Sequence, residues 1–188
     1  MTDQSPPENS AAPKKSEWMD LFRGGLAPYT VLLNLGIALH AIDIFVITTI
    51  MPTVVADIGG ISFYAWTSML YMVGTIIGSA AGGYFRARMG TRGGYVWGGL
   101  ILLVGTVACA IPPDMGTLLA ARVVKGIGGG LVIAQSMALI SDLYTPTIRT
   151  RILALISTTW TVASFFGPGI GGAFAEFDYW RGAFWAQA

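Results

Sequence analysis

Residues 93–111 read GGYVWGGLILLVGTVACAI, with no charged side chain anywhere in the stretch. Coiled as an α-helix at about 1.5 Å per residue, it reaches roughly 28 Å, close to the ~30 Å thickness of a bilayer's hydrocarbon core. A segment this apolar has no face to turn toward water, so lipid is the medium that suits its side chains, and helix formation satisfies its backbone there. Arg92 precedes it, and Pro112, Pro113 and Asp114 follow it, marking where the chain leaves the apolar medium.

Outward from this stretch the same reading repeats. Spans are predicted at 29–56, 63–85, 93–111, 117–144 and 152–175, with turn formers such as Gly59, Gly60, Gly116 and Pro146 between them. A sixth apolar run begins near Gly182 and stops at Ala188. The expected fold class is therefore an all-α membrane protein of five transmembrane helices plus the start of a sixth. Residues 1–28 form a tail and 29–188 a single helix bundle.

Composition agrees with that reading. Only 11% of the 188 residues are charged and 54% are hydrophobic, where soluble domains carry about 25% charged side chains. A soluble enzyme of this make-up is excluded. Buried helices of a large soluble protein are a poor alternative, because 63–85, 93–111 and 152–175 have no charged face to present to water. A net charge of +1 offers no field for nucleic acid. The lone Cys109 can form neither an internal disulfide nor a multi-thiolate metal site, and reads as a small core residue; no metal site is expected. Residues 1–15 are polar and Pro-rich, unlike a cleavable signal. Residues 16–26 suit a short interfacial helix or a solvated linker.

Basic residues set the expected orientation. Lys14, Lys15 and Arg23 precede the first span, Arg86, Arg88 and Arg92 join the second to the third, and Arg149 and Arg151 join the fourth to the fifth. The opposite connections offer Arg181, so the tail and the even-numbered connections are expected on the cytoplasmic side of the cell membrane.

Charge inside the spans is costly, at least about 2.5–3.5 kcal/mol near the bilayer centre on insertion scales, so each such residue needs a partner, water or a role. Asp43 lies midway along the first span with His40 one turn earlier on the same face, and Arg122 and Lys125 share a face of the fourth. Counted along the helices, the two groups differ in depth by about 8 Å, a gap that a long side chain and one water can close. The expectation is a shared aqueous cavity in which Lys125 or Arg122 partly neutralises Asp43. Burial disfavours the carboxylate's charge and a cation favours it, which leaves a group able to load and release a proton. Asp43, Arg122 and His40 are thus candidates for proton coupling, and Lys125 and Asp43 for lining a substrate cavity. A static structural bridge, an outward-snorkelling Arg122, or a His40 that only bonds a neighbouring helix are the plainer alternatives.

Gly74, Gly78 and Gly82 recur every fourth residue, and Gly126, Gly128, Gly129 and Gly130 crowd the fourth span. Such positions let membrane helices approach closely. A phosphate-binding loop is disfavoured, because Lys125 precedes the glycines and no Lys-Ser/Thr pair follows them. Gly167, Pro168, Gly169, Gly171 and Gly172 in the fifth span read as a kink with a flat packing face.

Together these features resemble the major facilitator superfamily, and within it the drug/proton antiporters. Asp43 followed nine residues later by Pro52 is similar to the antiporters' first-helix motif, with Phe45 and Thr48 in place of its Thr and Asn. Gly83, Arg88, Gly90 and Arg92 resemble the loop motif between the second and third helices. Arg122 and Gly126 resemble the fourth-helix R-x-x-q-G motif, whose arginine the family implicates in proton coupling, and Gly167, Pro168, Gly171 and Gly172 resemble the antiporter motif G-P-x-x-G-G. Tyr179, Trp180, Arg181 and Trp185 fit the Trp-Arg start of helix six. Two departures stand out. The loop's acidic position is Ala87 and the basic position after Gly90 is Thr91, so the latch that the acid supports in the family is weak here or built otherwise. Lys125 stands where the family has Gln, adding a cation.

The resemblance implies twelve or fourteen spans in two halves with substrate between them, so the chain is expected to be the N-terminal half, a fragment that does not transport alone. It implies proton-coupled export of small organic molecules or drugs by alternating access. The proton gradient would be the energy source, without a cofactor. The implied partners are small-molecule substrate, protons, the lipid bilayer and the missing C-terminal half, and no nucleic acid. Uptake of a metabolite anion, with Lys125 as its counter-charge, and a non-transporting membrane subunit are the rival readings.

Overall fold

A computed structural model describes residues 27–188. Residues 1–26 of the proposed 1–28 tail, with the interfacial segment 16–26 and Lys14, Lys15 and Arg23, lie outside the described residues, while Ala27 and Pro28 open the first helix. The described residues are helical with short turns and include no strand: α1 (Ala27–Ile58), a 3-10 turn (Ile61–Phe63), a helical stretch Tyr64–Ala110, then α4 (Met115–Leu143), α5 (Pro146–Glu176) and α6 (Trp180–Trp185).

The 47 residues of Tyr64–Ala110 would reach about 70 Å if straight, more than twice a hydrocarbon core. They do not run straight. Gly90 has φ 71° and ψ 172°, a conformation that L side chains avoid, and it divides the stretch into α2 (64–89) and α3 (91–110). The contacts with α4 show the reversal. Gly74 meets Val123 and Ile127 while Gly82 meets Ala134, so α2 and α4 ascend together. Gly94 meets Gln135, Gly98 meets Leu131, and Gly105 meets Lys125, so α3 descends α4. Four helical stretches are long and apolar enough to cross a membrane, and with the reversal at Gly90 they make five long limbs.

Close backbone contact explains the glycine spacing. A Cβ on Gly78 would lie 2.1 Å from the Ile127 carbonyl oxygen, and one on Gly130 would lie 2.1 Å from that of Thr75. Only hydrogen fits, and in a medium as apolar as the side chains this fit is what holds helices together. α1 and α5 pair similarly: a Cβ on Gly167 would meet Phe45 and one on Gly171 would meet Thr49 and Val46. α5 runs helical through Pro168. In α1, Pro52 deprives the Thr48 carbonyl of its usual amide, and the Tyr64 hydroxyl points at that oxygen from 3.5 Å.

Several boundaries differ from the hydropathy reading, which ends the second span at 85 where α2 runs to 89. α5 starts at Pro146 in its first turn, ahead of the apolar run at 152, so Arg149 and Arg151 ride on the helix. Arg149 turns back to donate to the carbonyls of Tyr144 (2.9 Å) and Ser141, closing the end of α4. α6 begins at Trp180 rather than Gly182. Large apolar side chains face outward, with Ile76 68% and Phe165 80% exposed, which suits lipid and not water. The bundle has two ends, a Gly60 end and a Gly90 end, each marked by a glycine with positive φ.

Candidate functional site: a buried ion triad

Asp43 lies in the middle of α1, and the long side chains of Arg122 and Lys125 reach it from α4. Arg122 Nη1 donates to Asp43 Oδ2 at 2.7 Å, and Lys125 Nζ donates to Oδ1 at 2.5 Å. The three side chains are 1%, 0% and 2% exposed respectively. One carboxylate thus takes both cations, one on each oxygen, in a setting where charge–charge attraction is little screened. The direct contacts remove the need for a bridging water.

The expected aqueous cavity is not open in this conformation. The space beside Asp43 and Lys125 measures about 10 Å³ and is lined by His40, Tyr71, Thr106 and Gln187 among others. That is room for about one water. A buried ion group closed off in this way must satisfy itself, and it nearly does. Arg122 Nε points at the Thr67 carbonyl (3.4 Å) and its guanidinium lies 4.3 Å from the Tyr71 ring centroid. Nη2 is left without a protein partner. Lys125 Nζ also donates to Gln187 Oε1 at 3.0 Å.

His40 is buried one turn away and lines the same small space, but its hydrogen bond goes to Tyr71 and not to a member of the triad. The Tyr71 hydroxyl and His40 Nδ1 share a 2.7 Å hydrogen bond, their rings stack, and Trp160 of α5 presents its edge to the imidazole. Tyr71 thereby touches both His40 and Arg122. Nothing in the sequence reading singled it out, although a buried histidine's need for a partner was the available signal.

Across the folded chain, a sequence profile described as Major Facilitator Superfamily matches residues 33–188. The chain belongs to this superfamily. It is a family of multi-pass membrane transporters rather than enzymes. Among curated relatives, a protein named "Probable multidrug-efflux transporter" from Mycobacterium tuberculosis is 36% identical over 173 residues, covering 92% of this chain and 36% of that protein. An "Acurin A biosynthesis cluster MFS-type transporter" of Aspergillus aculeatus is 31% identical over 96% of this chain and 31% of that protein. "Multidrug resistance protein 3" of Bacillus subtilis is 29% identical over 81% of this chain and 30% of that protein. The chain thus spans about a third of the length of these relatives. In fold it is similar to the xylose transporter of E. coli in an inward-open conformation, with a TM-score of 0.66 and 22% identity over 84% of this chain and 44% of that one.

Within this major facilitator chain, the loop motif sits at the Gly90 end. Gly90 supplies the reversal described above. Arg92 donates to the Tyr29 hydroxyl at 2.7 Å, Arg88 lies over the Tyr84 ring, and Gly83 faces open space. With alanine at position 87, the connection is fastened to α4 through Asp142, which lies outside the motif. Arg86 Nη2 donates to both carboxylate oxygens of Asp142, each at 2.8 Å, and Thr91 Oγ1 lies 3.5 Å from the same group. Arg86 was legible only as a topology signal, and Asp142 was missed. The glycine-proline motif divides into two faces: Gly167 and Gly171 pack on α1, whereas Gly169 and Gly172 meet nothing within 4 Å.

Proposed function

We propose that this chain is part of a proton-coupled secondary transporter that exports small organic molecules by alternating access. Asp43 is the proton site and Arg122 its fixed counter-charge. The carrying observation is the burial of a lone carboxylate in mid-membrane between two cations. A charge in that position is costly enough that intramembrane carboxylates mark ion pathways by default. Adding a proton to Asp43 weakens two ion pairs at once, between α1 and α4. That is the kind of local charge change able to bias two packings of a helix bundle.

The names of the relatives, two of which print "multidrug", favour drug-like substrates over a single metabolite. Uptake of a metabolite anion is less supported, because Lys125 is already engaged by Asp43 and Gln187 and faces no open cavity. The basic residues at the Gly90 end, Arg86, Arg88 and Arg92, favour placing that end at the cytoplasmic face of the cell membrane. The proton gradient would supply the energy.

The test uses cells expressing the native gene, loaded with a fluorescent drug. Imposing a pH gradient should drive efflux in the parent, and Asp43→Asn should abolish it while leaving the protein's abundance in the membrane unchanged. Gradient-driven efflux by Asp43→Asn at the parental rate removes Asp43 from the proton role.

A further inference from the structure

Lys125 makes a contact that neither the proton role of Asp43 nor the charge of Arg122 accounts for. Besides Asp43 Oδ1, its ammonium donates to Gln187 Oε1 at 3.0 Å and lies 5.1 Å from the Phe184 ring centroid. Both of these residues follow the turn at the Gly60 end: Phe184 on α6, and Gln187 just after it. The Gln187 amide is held in that orientation, since its Nε2 donates to the Ala183 carbonyl at 3.0 Å. Phe184 is fully buried and packs with Trp180 and Ala183 onto Val46, Ile50, Cys109 and Leu118. Lys125 thus touches both Asp43 in the middle of α1 and the α6 segment, whereas Arg181 of α6 pairs with Asp57 at the end of α1.

We infer that Lys125 is a positioning residue through which the charge on Asp43 sets how firmly α6 is seated. While Asp43 is ionised, its oxygen fixes the ammonium where Gln187 accepts from it and the Phe184 ring faces it. When Asp43 takes up a proton, the ammonium loses its anchor. The α6 segment then loses its polar tether to α4 and keeps its apolar contacts together with the bonds that Trp180 and Arg181 make to Asp57 of α1. The titratable groups around the Asp43–Lys125 pair are His40 on α1, Tyr71 on α2, Cys109 on α3 and Arg122 on α4. None of them is hydrogen-bonded to Gln187, so the polar route from Asp43 to Gln187 runs through Lys125. A glutamine at position 125, as the family motif has it, would carry no charge to answer a change on Asp43.

The role of this link in transport rests on Asp43 being the proton site, but the link itself is tested without transport. Hydrogen exchange of residues 180–188 is followed by mass spectrometry on the purified protein in lipid nanodiscs, for the parent, Asp43→Asn, Lys125→Gln and the double variant. Asp43→Asn should speed exchange in that segment about tenfold, the factor expected for losing one hydrogen bond to a charged donor. In the Lys125→Gln background the same substitution should leave the segment's exchange unchanged. Gln187→Ala, which leaves the triad intact and so keeps the fold even should Asp43→Asn not accumulate, should speed exchange by a similar factor. The inference is overturned by an Asp43→Asn effect of equal size in both backgrounds, or by a Gln187→Ala protein that exchanges like the parent. A coupled exchange cycle with unimpaired efflux in Asp43→Asn would instead sink the proton role and leave the Lys125 link standing.

Discussion

Arg86 holds Asp142 by both carboxylate oxygens, tying the last turn of α2 to the last turn of α4 at 2.8 Å per contact. Arg86 is the residue before Ala87, the position at which the resemblance to the loop motif expects an acid. Both side chains are more than two-fifths exposed, so water and salt screen them and their contribution to stability is below about 1 kcal/mol. Arg86→Ala or Asp142→Ala should therefore shift the thermal unfolding midpoint only slightly. The geometric role predicts a different signature: each single substitution slows transport, and the reversed pair Arg86→Asp with Asp142→Arg recovers most of the rate. A reversed pair no better than the product of its single variants would show that the two residues act independently.

Gly78 and Gly83 lie in the same helix and differ in what they face. A methyl group on Gly78 would stand 2.1 Å from the Ile127 carbonyl oxygen, whereas one on Gly83 would meet nothing within 4 Å. Gly78→Ala should push α2 off α4 and cost at least about 1–3 kcal/mol, the usual penalty for overpacking. Gly83→Ala should be neutral or stabilise by up to about 1 kcal/mol, because alanine restricts the unfolded helix backbone. Thermal unfolding in detergent measures both, and equal losses would contradict the assigned faces.

These contrasts mark what could be read from the chain alone. Hydropathy places helices because lipid penalises every unpaired peptide group, and that penalty depends on composition over a whole span. The charges of Asp43, Arg122 and Lys125 were conspicuous for the same reason. That Asp43 meets a cation of α4 was legible, but that it accepts from Lys125 and Arg122 at once, and that His40 turns to Tyr71, was not, because side-chain direction depends on how α1, α2 and α4 are rotated. Burial was not legible either. The sequence suggests a wet crevice, whereas Leu39, His40, Tyr71, Leu102 and Thr106 leave about 10 Å³ beside Asp43 and Lys125 in this conformation. Gly82 and Gly83 are adjacent in sequence and alike in chemistry, yet a Cβ on the first would meet Ala134 and on the second would meet nothing.

At the Gly60 end, Asp114 caps α4 by accepting from the Thr117 amide at 2.8 Å and from its hydroxyl at 3.1 Å. Those donors hold its carboxyl below the ordinary value, since they favour the charged form. The sign follows directly. The cap's contribution is complete above the unfolded carboxyl value of about 3.9 and is lost as pH falls through the depressed folded value. Hydrogen exchange at residues 115–118 should therefore accelerate, relative to the mid-helix amides of α4, only at pH below about 4. In Asp114→Ala that acceleration should be present at every pH.

The glycine-proline motif of α5 offers the sharpest separation between packing and transport. A Cβ on Gly171 would come within 2.9 Å of the Thr49 side chain and 3.1 Å of the Val46 carbonyl oxygen, while Gly172, the next residue, has no neighbour within 4 Å. Alanine at 171 must separate α5 from α1 and should lower the unfolding midpoint, as overpacking does elsewhere, by about 1–3 kcal/mol in free energy. Alanine at 172 should leave that midpoint unchanged. Efflux by the native-gene product then discriminates two roles for one motif. A Gly172→Ala protein that is stable but slow places the function of Gly172 on the open face of α5, away from the α1 contact. A Gly172→Ala protein that is stable and fast confines the motif's importance to the Gly167 and Gly171 side that presses on Phe45, Val46 and Thr49, three residues next to Asp43 along α1.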